Sequence, residues 1–132
     1  MSKPNPTDRG YTKEHEWAKD NGSGTITMGI TDHAQELLTD IVFVELPAMG
    51  KKVRQMEQLA VVESVKSVSD VYAPVSGEVI EVNKALEDHP EIVNQDAFGE
   101  GWMVKLKMDN SAELNNLMDA DGYTEMIKEE KH

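Results

Sequence analysis

Cysteine is absent from the 132 residues. The chain therefore has no disulfide, no thiolate nucleophile and no thiolate metal ligand of its own, and any sulfur redox chemistry needs a borrowed group. Positive charge is scarce: 13 Lys and Arg face 25 Asp and Glu, a formal net charge of −12. That balance excludes a general nucleic-acid binder, whose phosphate contacts depend on clustered cations. No apolar run approaches the roughly 20 residues of a membrane span. The opening stretch MSKPNPTDRG has neither the apolar core of a secretory signal nor the Arg-rich amphipathic pattern of a transit peptide, so a cytoplasmic protein is expected. The histidines His15, His33, His89 and His132 form no i, i+4 pair and no ligand cluster, and no metal site is expected. His33 stands beside carboxylates, as a cap, a surface residue or a group that tunes a cleft.

The chain nonetheless has 39% apolar residues, enough for the core of one domain and too many for a wholly disordered chain. Pro4, Pro6 and Gly10 make 1–10 a poor nucleus for regular structure, and a mobile tail is expected there, with the domain over 11–132. Beyond it, short apolar stretches alternate with turn signals, the pattern of a mainly β fold. The run Asp20-Asn21-Gly22-Ser23-Gly24 supplies a tight reversal between strands at 14–19 and 25–30. A short helix follows to about Thr39, capped by Thr31 or Asp32, with Ala34, Leu37 and Leu38 on one face. The nearly continuous apolar run 41–46 predicts a strand covered on both sides. A P-x-x-G sequence occurs at 47–50 and again at 74–77, an echo that suggests two similar halves. Strands are expected at 78–82, with Ile80 and Val82 inward, and at 102–108, with Trp102, Val104, Leu106 and Met108 inward. A loop joins them through Asp88-His89-Pro90. Asn110 and Glu113 have capping-box spacing, and two short bracing helices should follow, the second turning Tyr123, Met126 and Ile127 inward before fraying from Lys128.

One segment carries chemistry. Residues 61–72, VVESVKSVSDVY, form a near-palindrome about the Lys66-Ser67 bond. Folding there pairs Val65 with Val68, Ser64 with Ser69, Glu63 with Asp70, Val62 with Val71 and Val61 with Tyr72, like residues opposite like across an antiparallel ladder. Tight hairpins favour Gly or Asn at the tip, and neither is present, although a type I turn tolerates Lys and Ser. Lys66 then projects into water. A lysine so displayed is either an ordinary exposed cation or an amine held out for acylation, and the geometry leaves both open. Two opposed acids, Glu63 and Asp70, would cost a few tenths of a kcal/mol in a ladder unless a cation gains from them. The bare G-x-G at 99–101 is a turn and no phosphate cradle.

His15-Glu16-Trp17, GITDHAQ at 29–35, DIVFVELP at 40–47, ESVK at 63–66 with SDVY at 69–72, SGEV at 76–79 and GWM at 101–103 together resemble, in order and spacing, the H-protein family of the glycine cleavage system. The resemblance covers about Tyr11 to Tyr123. It implies a barrel-sandwich hybrid of the lipoyl-domain kind, two small antiparallel sheets with short peripheral helices, and a monomeric carrier that is not an enzyme and meets neither nucleic acid nor membrane. It also implies lipoate in amide linkage to Lys66. The swinging arm would shuttle the aminomethyl intermediate of glycine between glycine decarboxylase, aminomethyltransferase and dihydrolipoyl dehydrogenase, after loading by a lipoyl-attaching enzyme. Alternatives are a lipoyl or octanoyl relay in cofactor assembly and a biotinyl-type carrier. The latter would place Met on both sides of the lysine, where Val65 and Ser67 stand. Glu16 and Asp70 are the candidates for a carboxylate cleft that shields the cationic cargo from water. Thr39 stands where the family usually has Gly, implying a different helix exit, and Asp96-Ala97-Phe98 stands where Pro-Tyr is common.

Overall fold

The computed structural model describes residues 4–130. Nine strands and four α-helices follow one another as β1 (Gly10–Tyr11), β2 (Glu16–Asp20), β3 (Thr25–Ile30), α1 (Asp32–Leu38), β4 (Ile41–Glu45), β5 (Lys52–Val53), β6 (Gln58–Ser64), β7 (Val68–Tyr72), β8 (Gly77–Val82), α2 (Ala85–Asp88), α3 (Ile92–Gln95), β9 (Val104–Met108) and α4 (Ala120–Glu130), with a 3₁₀ turn at Ser111–Asn116. They form two antiparallel sheets, one of six strands in the order β1-β2-β3-β9-β8-β5 and one of three in the order β4-β6-β7. The sheets are those expected, and they do not close into a barrel.

Between the sheets lies one core that includes Ile26, Met28, Val62, Val71, Val75 and Leu106, all at most 2% exposed. A second cluster of Tyr11, Trp17, Ala120 and Tyr123 seals α4 against β1 and β2, with Phe98 and Trp102 at its margin. Burying these rings is worth about 1.5–3 kcal/mol each before ordering costs. Within the segment expected as a tail, residues 1–3 lie outside the described residues, while Asn5 donates to Thr124 Oγ1 at 2.9 Å and Pro6 accepts from the Tyr11 hydroxyl at 2.5 Å. Arg9 lies 4.6 Å over the Trp17 ring, a cation–π contact in the second cluster.

The first hairpin and α1 match the sequence reading, with Thr31 as the N-cap accepting from the Ala34 amide at 3.1 Å. Four readings of the strands and the loop between β8 and β9 need correction. The strand at β4 is not covered on both sides: it is an edge strand with a bulge between Ile41 and Phe43, which leaves Val42 54% and Phe43 47% exposed. A bulge between Val79 and Glu81 likewise turns Val79 inward and Ile80 out. Met103 is fully buried because β9 starts only at Val104, two residues later than expected, and the Met103 amide donates to Met28 O at 2.8 Å. The expected loop at 88–90 is flanked by the single-turn helices α2 and α3, which sink Leu86 and Val93 into the core.

At the C-terminal end Asn110 caps the 3₁₀ turn, its Oδ1 accepting from the Ala112 amide, but Glu113 does not reach back. It accepts instead from Ser76 N at 2.7 Å and Ser76 Oγ at 2.9 Å, fastening the turn before β8. Helix α4 runs on to Glu130, past the expected fraying at Lys128; residues 131 and 132 lie outside the described residues. The two P-x-x-G stretches serve different ends. Gly50 takes φ +83°, while a Cβ on Gly77 would meet Lys107 O at 2.2 Å, so one glycine supplies a turn and the other a close strand contact.

Thr39 departs from expectation in the opposite sense. The helix exit is not rearranged: Thr39 itself adopts φ 64°, ψ −144°, a conformation natural to glycine and strained for a β-branched residue. Neighbours impose it, since its amide donates to Gln35 O at 2.9 Å and its carbonyl accepts from Asn94 Nδ2 at 2.8 Å. Thr39→Gly should therefore stabilise the fold by about 1 kcal/mol. The check is a higher urea midpoint at unchanged slope; a lower midpoint would show that Thr39 is not strained.

Candidate functional site

The tip of the β6–β7 hairpin is built by one serine. Ser64 N donates to Ser67 O at 2.8 Å, and Ser64 Oγ accepts from Ser67 N at 3.1 Å and Lys66 N at 3.3 Å. A hydroxyl-braced turn of this kind needs no glycine, and none of the positive-φ residues falls at the tip. The reversal therefore centres on Val65-Lys66, one residue earlier than the palindrome implies. The register follows: Glu63 pairs with Val68, Val62 with Ser69, Val61 with Asp70, Ala60 with Val71 and Gln58 with Tyr72. Glu63 and Asp70 are thus not opposed, and the like-charge cost read from the palindrome does not arise. The palindrome misleads because it counts residue likeness, whereas the Ser64 side chain fixes the loop.

Lys66 stays at the tip and exposed, flanked by Val65 and Val68, each about two-thirds exposed at 66% and 65%. No ion pair engages it among the described residues. The tip is nonetheless fixed, because Val65 N donates to Asp40 O at 3.0 Å and pins the hairpin to the loop before β4.

Beside the hairpin lies a cleft of about 110 Å³. Its walls come from β2 and the corner before it (Glu14, His15, Glu16), from α1 (Leu37, Leu38) and from β7 (Ser69, Asp70). The structure thus brings Glu16 and Asp70 together in one cavity, although they belong to different sheets. Glu16 is 1% exposed. The Thr12 hydroxyl donates to its Oε1, and the Tyr72 amide, on the outer edge of β7, donates to its Oε2 at 3.1 Å. Burial pushes the carboxyl up to about 7, partly offset by these two donors, which favour the charged form. Asp70 is exposed and accepts from Gln58 Nε2 at 3.3 Å. A buried carboxyl poised near neutrality and an exposed one thus face a floor that includes Ile30, Val62 and Val71. Such a cavity suits an apolar chain ending in a cation. Lys66 lies four residues from Asp70, at most roughly 13 Å along the chain, so a long flexible substituent on its amine spans the distance.

His33, read as a possible tuner of the cleft, is 5% exposed on α1 and does not line the cavity; its ring sits 5.0 Å from that of His15. What sequence reasoning missed is the corner itself: His15 at φ 73°, with Nδ1 2.7 Å from the Tyr123 hydroxyl. No local pattern signals a contact spanning most of the chain.

A sequence profile described as "Glycine cleavage H-protein" matches residues 9–130. The chain belongs to the glycine cleavage H-protein family. It is 54% identical over 127 residues to the glycine cleavage system H protein of Stenotrophomonas maltophilia, covering 96% of this chain and 97% of that one. It is 55% identical over 125 residues to that of Thermus thermophilus, covering 95% and 97%. The crystal structure of the Mycobacterium marinum H protein superposes with a TM-score of 0.85 at 36% identity, covering 94% of this chain and 99% of that chain. Membership makes the protein a carrier of the glycine cleavage system and not itself an enzyme. No helix among the described residues is long and apolar enough to cross a membrane.

The raised Glu16 carboxyl has a consequence for stability. Its folded value near 7 exceeds the ordinary value of 4.5, so between these the native state holds a proton that the unfolded state has lost. Stability must then fall as pH rises through that window, by an upper bound on the order of 3 kcal/mol. Urea midpoints at pH 5 and pH 8 should fall with pH in the native chain and fall markedly less in Glu16→Gln; equal slopes would refute the assignment.

Proposed function

We propose that Lys66 is the attachment point of a lipoyl arm, and that the cleft between Glu16 and Asp70 receives the arm's end. One observation carries this reading: a pinned, exposed lysine stands within one arm's length of a cavity that combines an apolar floor with two carboxylates. When bound, a lipoyl group supplies a reducible disulfide that takes up the aminomethyl cargo from glycine and gives it on. This chain's residues do the rest. Ser64 and Asp40 hold the backbone under Lys66, so the amine is presented at a constant place. Ile30, Val62 and Val71 would cover the arm's methylenes and exclude water, and Glu16, buried, and Asp70, at the solvent side, would face the cargo's positive charge, the first where screening is weak.

Glu16 is suited to this because its charge responds to the guest. Without a cation nearby burial keeps it prone to hold a proton near neutrality, and an ammonium close by draws it to the anion. On acidification below pH 7 protonation of Glu16 competes increasingly with holding the cation, so protection of the cargo should weaken. Partners inferred for the arm are glycine decarboxylase, aminomethyltransferase, dihydrolipoyl dehydrogenase and a lipoyl-attaching enzyme, in the cytoplasm. A net charge of −12 supports docking on basic rims, where steering speeds encounter without demanding tight binding.

Two experiments test the reading. Incubation with a lipoyl-attaching enzyme and lipoate should add one lipoyl mass to the native chain and nothing to Lys66→Arg, whose guanidinium remains protonated and cannot be acylated. Circular dichroism of the two proteins should coincide, because the tip is solvent-facing; a native mass on the unaltered chain would reject the site. In the loaded carrier, Glu16→Gln with Asp70→Asn should shorten cargo lifetime at pH 7.5 about tenfold. An unchanged lifetime would remove the cleft from the account.

A further inference from the structure

The corner that carries Glu14, His15 and Glu16 into the cleft is held from the far end of the chain. Tyr123, fully buried on α4, stacks on Tyr11 with centroids 4.8 Å apart and planes 9° from parallel. Its hydroxyl lies 2.7 Å from Thr31 Oγ1 and 2.7 Å from His15 Nδ1. The same two residues are joined again through the backbone, Thr31 N donating to His15 O at 3.0 Å. Thr31 Oγ1 already accepts from the Ala34 amide. Its proton can go to the phenol oxygen, and the phenol proton then goes to His15 Nδ1. One hydroxyl thus ties the cap of α1 to the corner before β2.

The corner gains from such a tie, because His15 sits at φ 73°, a left-handed conformation uncommon for any residue with a side chain. Neither does Tyr123 need its oxygen to pack: Tyr11 stacks on the ring face, and a phenylalanine would do as well there.

We infer that Tyr123 is a positioning residue, its hydroxyl latching the His15 corner so that Glu16 stays aimed into the cleft. The inference rests on the reading of the cleft given above and adds the device that maintains it. The C-terminal helix is then more than a brace, since it sets the geometry of a cavity that it does not line.

Tyr123→Phe keeps the stack and removes only the latch. Amide hydrogen exchange should quicken at least tenfold at residues 14–16, and the ¹⁵N resonance of His15 Nδ1 should move, while the rest of the chain keeps its protection. Acylation at Lys66 should proceed at the native rate, whereas the cargo on the loaded arm should be lost several-fold faster. His15→Ala should behave like Tyr123→Phe, and His15→Asn, which tolerates the left-handed conformation and offers an acceptor to the phenol, should restore both protection and cargo lifetime. Native exchange at the corner in Tyr123→Phe overturns the latch. So does native cargo lifetime in Tyr123→Phe while Glu16→Gln shortens it. If Glu16→Gln itself leaves the lifetime unchanged, the cleft reading fails, and the latch has no functional site to position.

Discussion

The contact on which the site depends is the hydrogen bond from the Tyr72 amide to the Glu16 carboxylate. Two sheets with apolar inner faces pack by area, and area alone fixes neither their relative slide nor the edge at which a cleft opens. Glu16 belongs to the six-stranded sheet and Tyr72 to the edge strand of the three-stranded one. A directional bond between them sets that slide, and it satisfies a donor that the sheet edge would otherwise leave to water. The price is a carboxyl buried far from its preferred protonation state, retained where an apolar residue would pack at less cost.

How this cost is offset differs along the site. At Glu16 a hydroxyl and an amide favour the ionised form, and burial opposes it more strongly. Asp70, on β7 of the other sheet, is exposed and carries no such burial cost. The cleft thereby joins a carboxyl poised near neutrality to one that is exposed to solvent, an arrangement in which the first adjusts to whatever occupies the cavity. Carriers must release what they hold, and a pair that is only partly ionised when empty binds less tenaciously than two fixed anions would.

Much of this was legible before any coordinates. The alternation of short apolar runs gave the two-sheet character, the Asn-Gly-Ser-Gly turn gave the first hairpin, and the valine-rich repeat around Lys66 gave the exposed lysine. The register did not follow, because Ser64 uses its own oxygen to close the turn and so moves the centre by one residue. Bulges at the edge strand β4 and the inner strand β8 also escaped, since alternation is read as if each strand were regular. Thr39 holds a backbone shape that its residue type argues against, which only Gln35 and Asn94 explain. That Glu16 and Asp70 share a cavity depends on how the sheets stack, and the bond between His15 and Tyr123 depends on where the last helix lands. Neither leaves a trace in local spacing.

The Val65 amide bonded to Asp40 has a kinematic meaning. A hairpin free to sway would blur the origin of anything attached to it over a wide volume and on the slow timescale of loop motion. Here the origin is stationary, so the territory swept is a shell about one point, explored by side-chain torsions in picoseconds to nanoseconds. Distance from that point, not flexibility of the fold, decides which surfaces come within range.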